Sequence, residues 1–120
     1  MNHIELGKWG EAQARSFLLD KGYQILATHY QIKLGEIDII AQDADVIVFV
    51  EVKTRRSNTF GTPAEAVNHR KQRKIIMTAL CYLKSLSLQD KSVRFDVVEV
   101  MVPFQQESQI HHIINAFGGT

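Results

Sequence analysis

Two carboxylates stand inside otherwise apolar strands, and this pattern restricts what the chain can fold into. Asp38 lies in the apolar run 35–40, and Glu51 lies in the apolar run 48–53. Each run predicts a strand, and the polar break at 43–45 predicts a turn that joins them as an antiparallel hairpin. Because side chains alternate along a strand, a symmetric turn in this break places Asp38 directly opposite Glu51 on one face.

The opposed acids require a positive partner. Directly opposed residues have Cβ atoms roughly 4.5–5.5 Å apart, and like charges at that separation destabilise a sheet. A hard divalent ion such as Mg²⁺, or a shared proton, relieves the repulsion. Lys53 points to the same face, where its ammonium can orient a water and stabilise a phosphate, and its neutral amine can deprotonate a water. The alternative is a cross-strand ion pair between Lys53 and Glu36, which the same register places opposite each other.

A third carboxylate comes from the first predicted helix. Glu11 stands beside Gly10, four residues after Gly7 and three before Ala14, so it belongs to a stripe of small residues. Two glycines in one turn cost helix stability and indicate close approach to another element. This would bring Glu11 toward the acids of the hairpin. An exposed glutamate on a solvated helix face is the equally weighted alternative.

The remaining pattern predicts one α/β domain over residues 1–120. A helix is expected between the third and fourth strands, as a right-handed crossover to a parallel neighbour requires. Thr62-Pro63-Ala64-Glu65 predicts its start, since the threonine can cap it and the glutamate completes a capping box. The elements are a helix at about 4–21 ended by Gly22, a strand meander at about 23–33, 36–41 and 46–54, a second helix, continuous or broken, to about 87, and strands at about 93–102 and 110–115.

Charge is unevenly distributed along a chain whose net charge is only +1. Residues 51–74 hold seven of the fourteen lysines and arginines. Such a cluster predicts a surface for an anionic partner, with a merely solvated face as the alternative. The predicted phosphate contacts are Arg55, Arg56, Lys71 and Lys74.

Other features restrict the compartment and the metal chemistry. No apolar run approaches the roughly 18 residues of a membrane span, and no signal-peptide pattern is present, so a cytoplasmic protein without membrane contact is expected. The single cysteine, Cys81, is expected in a helix core. His111 and His112 are neighbours on a predicted strand and point to opposite faces, so a strand-end role is favoured over a metal pair.

Several motifs together resemble one known family. The segments that carry the resemblance are Gly7-x-x-Gly10-Glu11-x-x-Ala14, Gly35-Glu36-Ile37-Asp38-Ile39-Ile40, Phe49-Val50-Glu51-Val52-Lys53-Thr54-Arg55, Phe60-Gly61, Arg94-Phe95-Asp96-Val97-Val98 and Asn115-Ala116-Phe117. They are similar to the YraN-like family of small bacterial proteins in the restriction-endonuclease-like superfamily. The likeness covers nearly the whole chain. One segment departs from it, because Thr28-His29-Tyr30-Gln31 stands where the family usually has an Asn-aromatic-Arg element.

The resemblance implies a PD-(D/E)xK nuclease core and assigns roles to four residues. Asp38 and Glu51 would bind Mg²⁺ or Mn²⁺, Lys53 would serve the attacking water, and Glu11 would correspond to the helix glutamate of archaeal Holliday junction resolvases. The expected function is metal-dependent hydrolysis of phosphodiesters in structured or branched DNA. The alternatives are a non-catalytic nucleic-acid-binding module with a vestigial site and a structural protein with ion-paired hairpin acids. The oligomeric state, a homodimer included, is left open.

Overall fold

The structure, a computed structural model of the chain, describes residues 1–56, 67–102 and 108–118. In this part of the chain two helices and five strands follow one another in the predicted order. They are α1 (His3–Asp20), β1 (Gln24–Ile32), β2 (Gly35–Asp43), β3 (Val46–Arg55), α2 (His69–Ser85), β4 (Ser92–Met101) and β5 (Gln109–Phe117). The strands form one sheet in chain order, and neighbours are antiparallel except for the parallel pair β3 and β4. This mixed sheet confirms the predicted α/β class.

Both ends of α1 follow from local sequence. The side chain of Asn2 accepts a hydrogen bond from the Glu5 N–H, which satisfies a backbone donor of the first turn. Gly22, just past the helix, has a φ of +91°, in the left-handed region that glycine adopts without strain. Between these ends, a buried stripe faces the sheet, and it consists of Leu6, Gly10, Ala14 and Leu18. A methyl group on Gly10 would overlap the side chain of Thr54, so the predicted close approach is confirmed there.

α2 begins after the predicted capping segment of the second helix. The predicted capping segment Thr62-Pro63-Ala64-Glu65 lies outside the described residues. Where the description resumes, Val67 and Asn68 are not helical. The Asn68 side chain instead caps α2 by accepting the Lys71 N–H at 2.9 Å.

The buried stripe of α2 excludes the cysteine. The side chains that face the sheet include Ile75, Ala79, Tyr82 and Leu83. Cys81 is exposed, so the prediction of a core cysteine is wrong. The apolar pattern around Cys81 correctly predicted a helix with one buried face, but the cysteine lies on the face exposed to solvent. No helix within the described ranges has the length and apolar character needed to cross a membrane.

The two helices cover opposite faces of the sheet and give two apolar layers. One layer joins α1 to alternate residues of the central strands, among them Ile39, Val50 and Val98. The other joins α2 to the intervening residues, among them Ile40 and Phe49. Central strand β3 is therefore apolar on both faces over most of its length, as a strand buried between two layers requires.

A buried ionic cluster lies in the α1 layer and fastens β5 to β4. Asp96 is fully buried, and its carboxylate accepts hydrogen bonds from Arg94 and from the backbone N–H of Asn115. His112 Nε2 lies 2.7 Å from Asp96 Oδ2, and Lys21 Nζ lies 2.8 Å from His112 Nδ1. His112 therefore has a structural role, but it lies inside β5 and not at the predicted strand end.

Candidate active site

The site is a fork in the sheet between β2 and β3. Their paired positions run from Asp43 and Val46 at the turn to Ile39 and Val50, in the predicted register. Beyond that point β2 stays paired with β1 as far as Gly35, and β3 stays paired with β4 as far as Arg55. The sheet therefore opens between its second and third strands.

Asp38 and Glu51 are the first residues beyond the last paired position, one on each branch of the fork. Asp38 Oδ2 accepts a hydrogen bond from the Val52 N–H at 2.8 Å, so it binds a backbone donor in the opened segment. Glu51 is almost fully buried, with 6 % of its surface exposed. The predicted register brings the two acids together, but the ladder stops before it pairs them directly.

The electrostatics of the fork show that Asp38 is short of partners. Burial raises the pKa of Asp38, and the nearby charge of Glu51 raises it further, to about 7. The Val52 N–H and Lys71 act in the opposite direction without reversing the shift. A carboxyl group that titrates near neutrality is typical of functional sites and unusual for a structural acid.

Two lysines approach the same oxygen of Glu51. Lys71 Nζ, from the first turn of α2, lies 2.7 Å from Glu51 Oε1, and Lys53 Nζ lies 3.6 Å from it. Burial and the neighbouring Lys71 ammonium lower the pKa of Lys53. Burial alone would lower the pKa of Lys71 as well, but its contact with Glu51 raises it overall. Lys71 therefore holds its proton firmly, whereas Lys53 gives up its proton more easily than an ordinary lysine.

Glu11 reaches the fork from α1 through a histidine. His29 Nε2 lies 2.7 Å from Glu11 Oε2, and His29 Nδ1 lies 3.2 Å from Glu36 Oε1. Burial raises the pKa of Glu11, His29 lowers it, and Glu36 and Glu51 raise it, so the glutamate is within electrostatic reach of the buried acid. The predicted approach of Glu11 is confirmed in this sense. The predicted pairing of Glu36 with Lys53 is wrong, because Glu36 contacts His29.

His29 owes its position to an irregularity in the strands. Its φ is +51°, in the left-handed region that a residue other than glycine adopts only where its surroundings impose it. Opposite it in β2, Ile37 and Ile40 pack in the same layer although they are three residues apart, so alternation is interrupted around Asp38. No sequence pattern predicted a role for His29. The available signal was that its segment departs from the family pattern.

The four predicted phosphate contacts have different surroundings. Lys71 and Lys74, with Asn68 and Arg70, line a cavity of about 330 Å³ at the start of α2, and Lys71 also contacts Glu51. Arg56 is exposed and donates to the Met1 carbonyl at 2.8 Å. Arg55 differs, because its side chain is only 13 % exposed and its Nε lies 3.0 Å from Glu99 Oε2. This ion pair argues against the predicted role of Arg55 as a phosphate contact.

The predicted metal ligands are only partly assembled. Within the described ranges, no group of three or more histidine, cysteine, aspartate or glutamate side chains is arranged to hold a metal ion. The contacts explain this, since Lys71 approaches Glu51 and His29 approaches Glu11. The donor chemistry of the fork still suits a hard cation, because two crowded carboxylates supply the oxygen ligands that Mg²⁺ and Mn²⁺ prefer. Asp38 and Glu51 would hold the ion, and a role for Glu11 as a third ligand stays a prediction.

Comparison with known proteins places this architecture in a family. The model of the uncharacterised protein family UPF0102 matches residues 10–100, which include the fork, α2 and most of β4. The chain is 47 % identical to a UPF0102 protein of Clostridioides difficile over 117 residues, covering 98 % of this chain and 100 % of that protein. It is 48 % identical to a UPF0102 protein of Syntrophomonas wolfei over 113 residues, covering 94 % and 97 %. The chain belongs to the UPF0102 family, which confirms the resemblance to YraN-like proteins.

Proposed function

We propose that this protein is a metal-dependent nuclease that hydrolyses phosphodiesters in structured or branched DNA. The observation that carries the proposal is the pair of crowded carboxylates at the fork, Asp38 and Glu51, with the Lys53 amine beside them. The cavity at the start of α2 shares Lys71 with this pair, and its basic lining suits a phosphate backbone. The sequence resemblance to PD-(D/E)xK nucleases supports the same reading independently of the geometry.

Each residue of the fork has a defined part in this proposal. Mg²⁺ or Mn²⁺, held by Asp38 and Glu51, would polarise the phosphate and lower the pKa of a water molecule. Lys53, whose pKa is lowered, is suited to accept a proton from the attacking water or to orient it. Glu11 and His29 form a polar wall on the α1 side of the fork. Lys71 and Lys74 would contact phosphates of the bound strand.

A cleavage screen with Mn²⁺ and Mg²⁺ tests the proposal. Four-way junctions, flaps, linear duplexes and single strands of DNA and RNA are compared at matched sequence. We expect cleavage of branched DNA by the wild type and none by Asp38→Asn. Lys84→Ala, which removes a lysine from the last turn of α2, serves as the control and should cut normally.

Lys53→Ala separates catalysis from binding. We expect the cleavage rate to fall by about 10²-fold or more, because proton transfer by a positioned side chain contributes typically that much. Nucleic-acid affinity should change by only a few fold, since one cation among several contributes little. Equal losses of rate and affinity would make Lys53 a phosphate anchor instead.

The second candidate is a nucleic-acid-binding module without catalysis. The contact of Lys71 with Glu51 favours it, since a paired carboxylate is less available to a metal ion. Tight binding of nucleic acid that is independent of Mn²⁺, with no cleavage of any substrate, would support this module. A protein that neither binds nor cleaves would be the structural protein of the third hypothesis.

A further inference from the structure

Lys71 and Lys53 lie at different distances from the Glu51 carboxylate. Lys71 Nζ makes the closer contact, at 2.7 Å, although Lys71 belongs to a different element from Glu51. Its side chain is 43 % exposed, whereas that of Glu51 is 7 % exposed. The buried carboxylate thus takes its nearest cation from the solvent side, on a side chain long enough to move without unfolding the helix.

The position of Lys71 sets up a competition for Glu51. An ammonium within hydrogen-bond distance of an oxygen and a divalent cation bound to the same oxygen at about 2.1 Å repel each other strongly in a buried site. Lys71 Nζ contacts Oε1, so a metal ion that binds Glu51 through Oε1, or through both oxygens, requires the Lys71 ammonium to leave.

The cavity beside the fork offers Lys71 another partner. Arg70, Lys71 and Lys74 line it, so three cations surround a space of about 330 Å³. A phosphate of a nucleic-acid backbone placed there would bind the same ammonium that contacts Glu51. The carboxylate and the phosphate would be alternative partners of one side chain.

We propose that Lys71 couples nucleic-acid binding to metal binding by exchanging Glu51 for a backbone phosphate. Without nucleic acid the ammonium covers Glu51 and weakens metal binding. A phosphate in the cavity draws the ammonium away and frees the carboxylate for the divalent ion. The inference rests on the proposed function, and it makes Lys71 a positioning residue that limits metal binding in the absence of substrate.

Thermodynamic linkage turns this exchange into measurable coupling. If nucleic acid raises the affinity for Mn²⁺ by some factor, Mn²⁺ raises the affinity for nucleic acid by the same factor. We expect a factor of about 10 in the wild type, within the usual range for coupled sites. Lys71→Ala should bring the factor well below the wild-type value, because only the direct contact between the metal ion and a phosphate then couples the two sites.

The decisive experiment compares Lys71→Ala with Lys74→Ala. Calorimetry measures the affinity for Mn²⁺ alone, and fluorescence anisotropy measures binding of a short phosphorothioate DNA duplex with and without Mn²⁺. We expect Lys71→Ala to bind Mn²⁺ about 10-fold more tightly and DNA a few fold more weakly, since it loses both the cover and a phosphate contact. Lys74 lines the same cavity but has no ion pair with any residue the structure describes, so Lys74→Ala should weaken DNA binding alone.

Further outcomes separate this inference from the proposed function. Lys71→Arg retains a cation that can pair with Glu51 and should restore much of the coupling. Unchanged or weaker Mn²⁺ binding by Lys71→Ala would overturn the inference, even if the wild type cleaves DNA. If Mn²⁺ and DNA binding are coupled as expected but the protein cleaves no substrate, the inference is supported and the proposed nuclease function is contradicted. Absence of Mn²⁺ binding by the wild type and by Lys71→Ala would overturn both.

Discussion

Asp38 and Asp96 lie on neighbouring parts of one sheet, yet their surroundings have opposite effects. Asp96, in the α1 layer, contacts Arg94 and His112 and accepts the Asn115 N–H. Burial alone would raise its pKa, but these partners lower it overall. Asp38 has one backbone donor, from Val52, and burial together with nearby acids raises its pKa to about 7.

The difference shows what an acid contributes when it is saturated with partners and when it is not. A saturated carboxylate stays ionised and holds its donors in place, so it stabilises the fold. An unsaturated carboxylate in a buried site favours its neutral form or an added cation. The cluster around Asp96 therefore fastens the strands together, and the fork around Asp38 has capacity left for a ligand.

The largest effect is expected from a mutation that breaks the cluster around Asp96. Asp96→Ala should lower the free energy of unfolding by about 3 kcal/mol, because Arg94 and His112 lose their buried partner while Arg94 keeps its ion pair with the half-exposed Asp43. Urea denaturation measures the loss. The control is Asp45→Ala in the exposed β2–β3 turn, which should change stability little. A loss at Asp96 no larger than that of the control would show that the cluster is not what stabilises the sheet.

An intermediate effect of opposite sign is expected at the fork. Folding raises the pKa of Asp38 from 3.8 to about 7. Its favourable contribution to the free energy of unfolding is therefore complete at low pH and is lost as the pH rises from about 4 to about 7. Asp38→Asn removes that loss and reduces the repulsion of Glu51. At pH 8 its free energy of unfolding should stay level or rise by about 1–2 kcal/mol relative to the wild type.

Melting curves at pH 5 and pH 8, with and without Mn²⁺, test this second prediction. The gain in Asp38→Asn should shrink at pH 5, where the wild-type carboxyl is largely protonated. At pH 8, Mn²⁺ should stabilise Asp38→Asn much less than it stabilises the wild type, because the variant lacks one metal ligand. If the variant is less stable at pH 8 and its response to Mn²⁺ is intact, the assignment of Asp38 to a metal site is wrong.

The smallest effect sharpens the comparison through the surrounding cations. Arg94 is committed to Asp96, whereas Lys71 and Lys74 line an open cavity. If both lysines contact phosphates of duplex DNA, the slope of log affinity against log salt should become shallower by about two units in the double variant Lys71→Ala, Lys74→Ala. Lys84→Ala, on the same helix, should leave the slope unchanged. An unchanged slope in the double variant would show that the cavity lining is merely solvated.

Features set by neighbouring residues were predictable from the chain alone. The turn between β2 and β3 fixes the hairpin register, and Ile39 lies opposite Val50, as a register that opposes Asp38 to Glu51 requires. Gly22 follows the end of α1 where a left-handed residue is needed. Asp38 and Glu51 were brought together correctly because only this short turn separates their strands.

Contacts between distant residues were decided by the tertiary structure. The sequence did not reveal that Lys71 would reach Glu51, that His29 would bind Glu11, or that Arg55 would pair with Glu99. These pairs join different elements, and their geometry depends on how each helix is placed and where the sheet opens. Hydrophobic periodicity specifies which face of an element is buried, but it does not specify which polar groups meet across the packed layers. The sequence therefore predicted the acids of the fork, but it did not predict the partners that set their charge state.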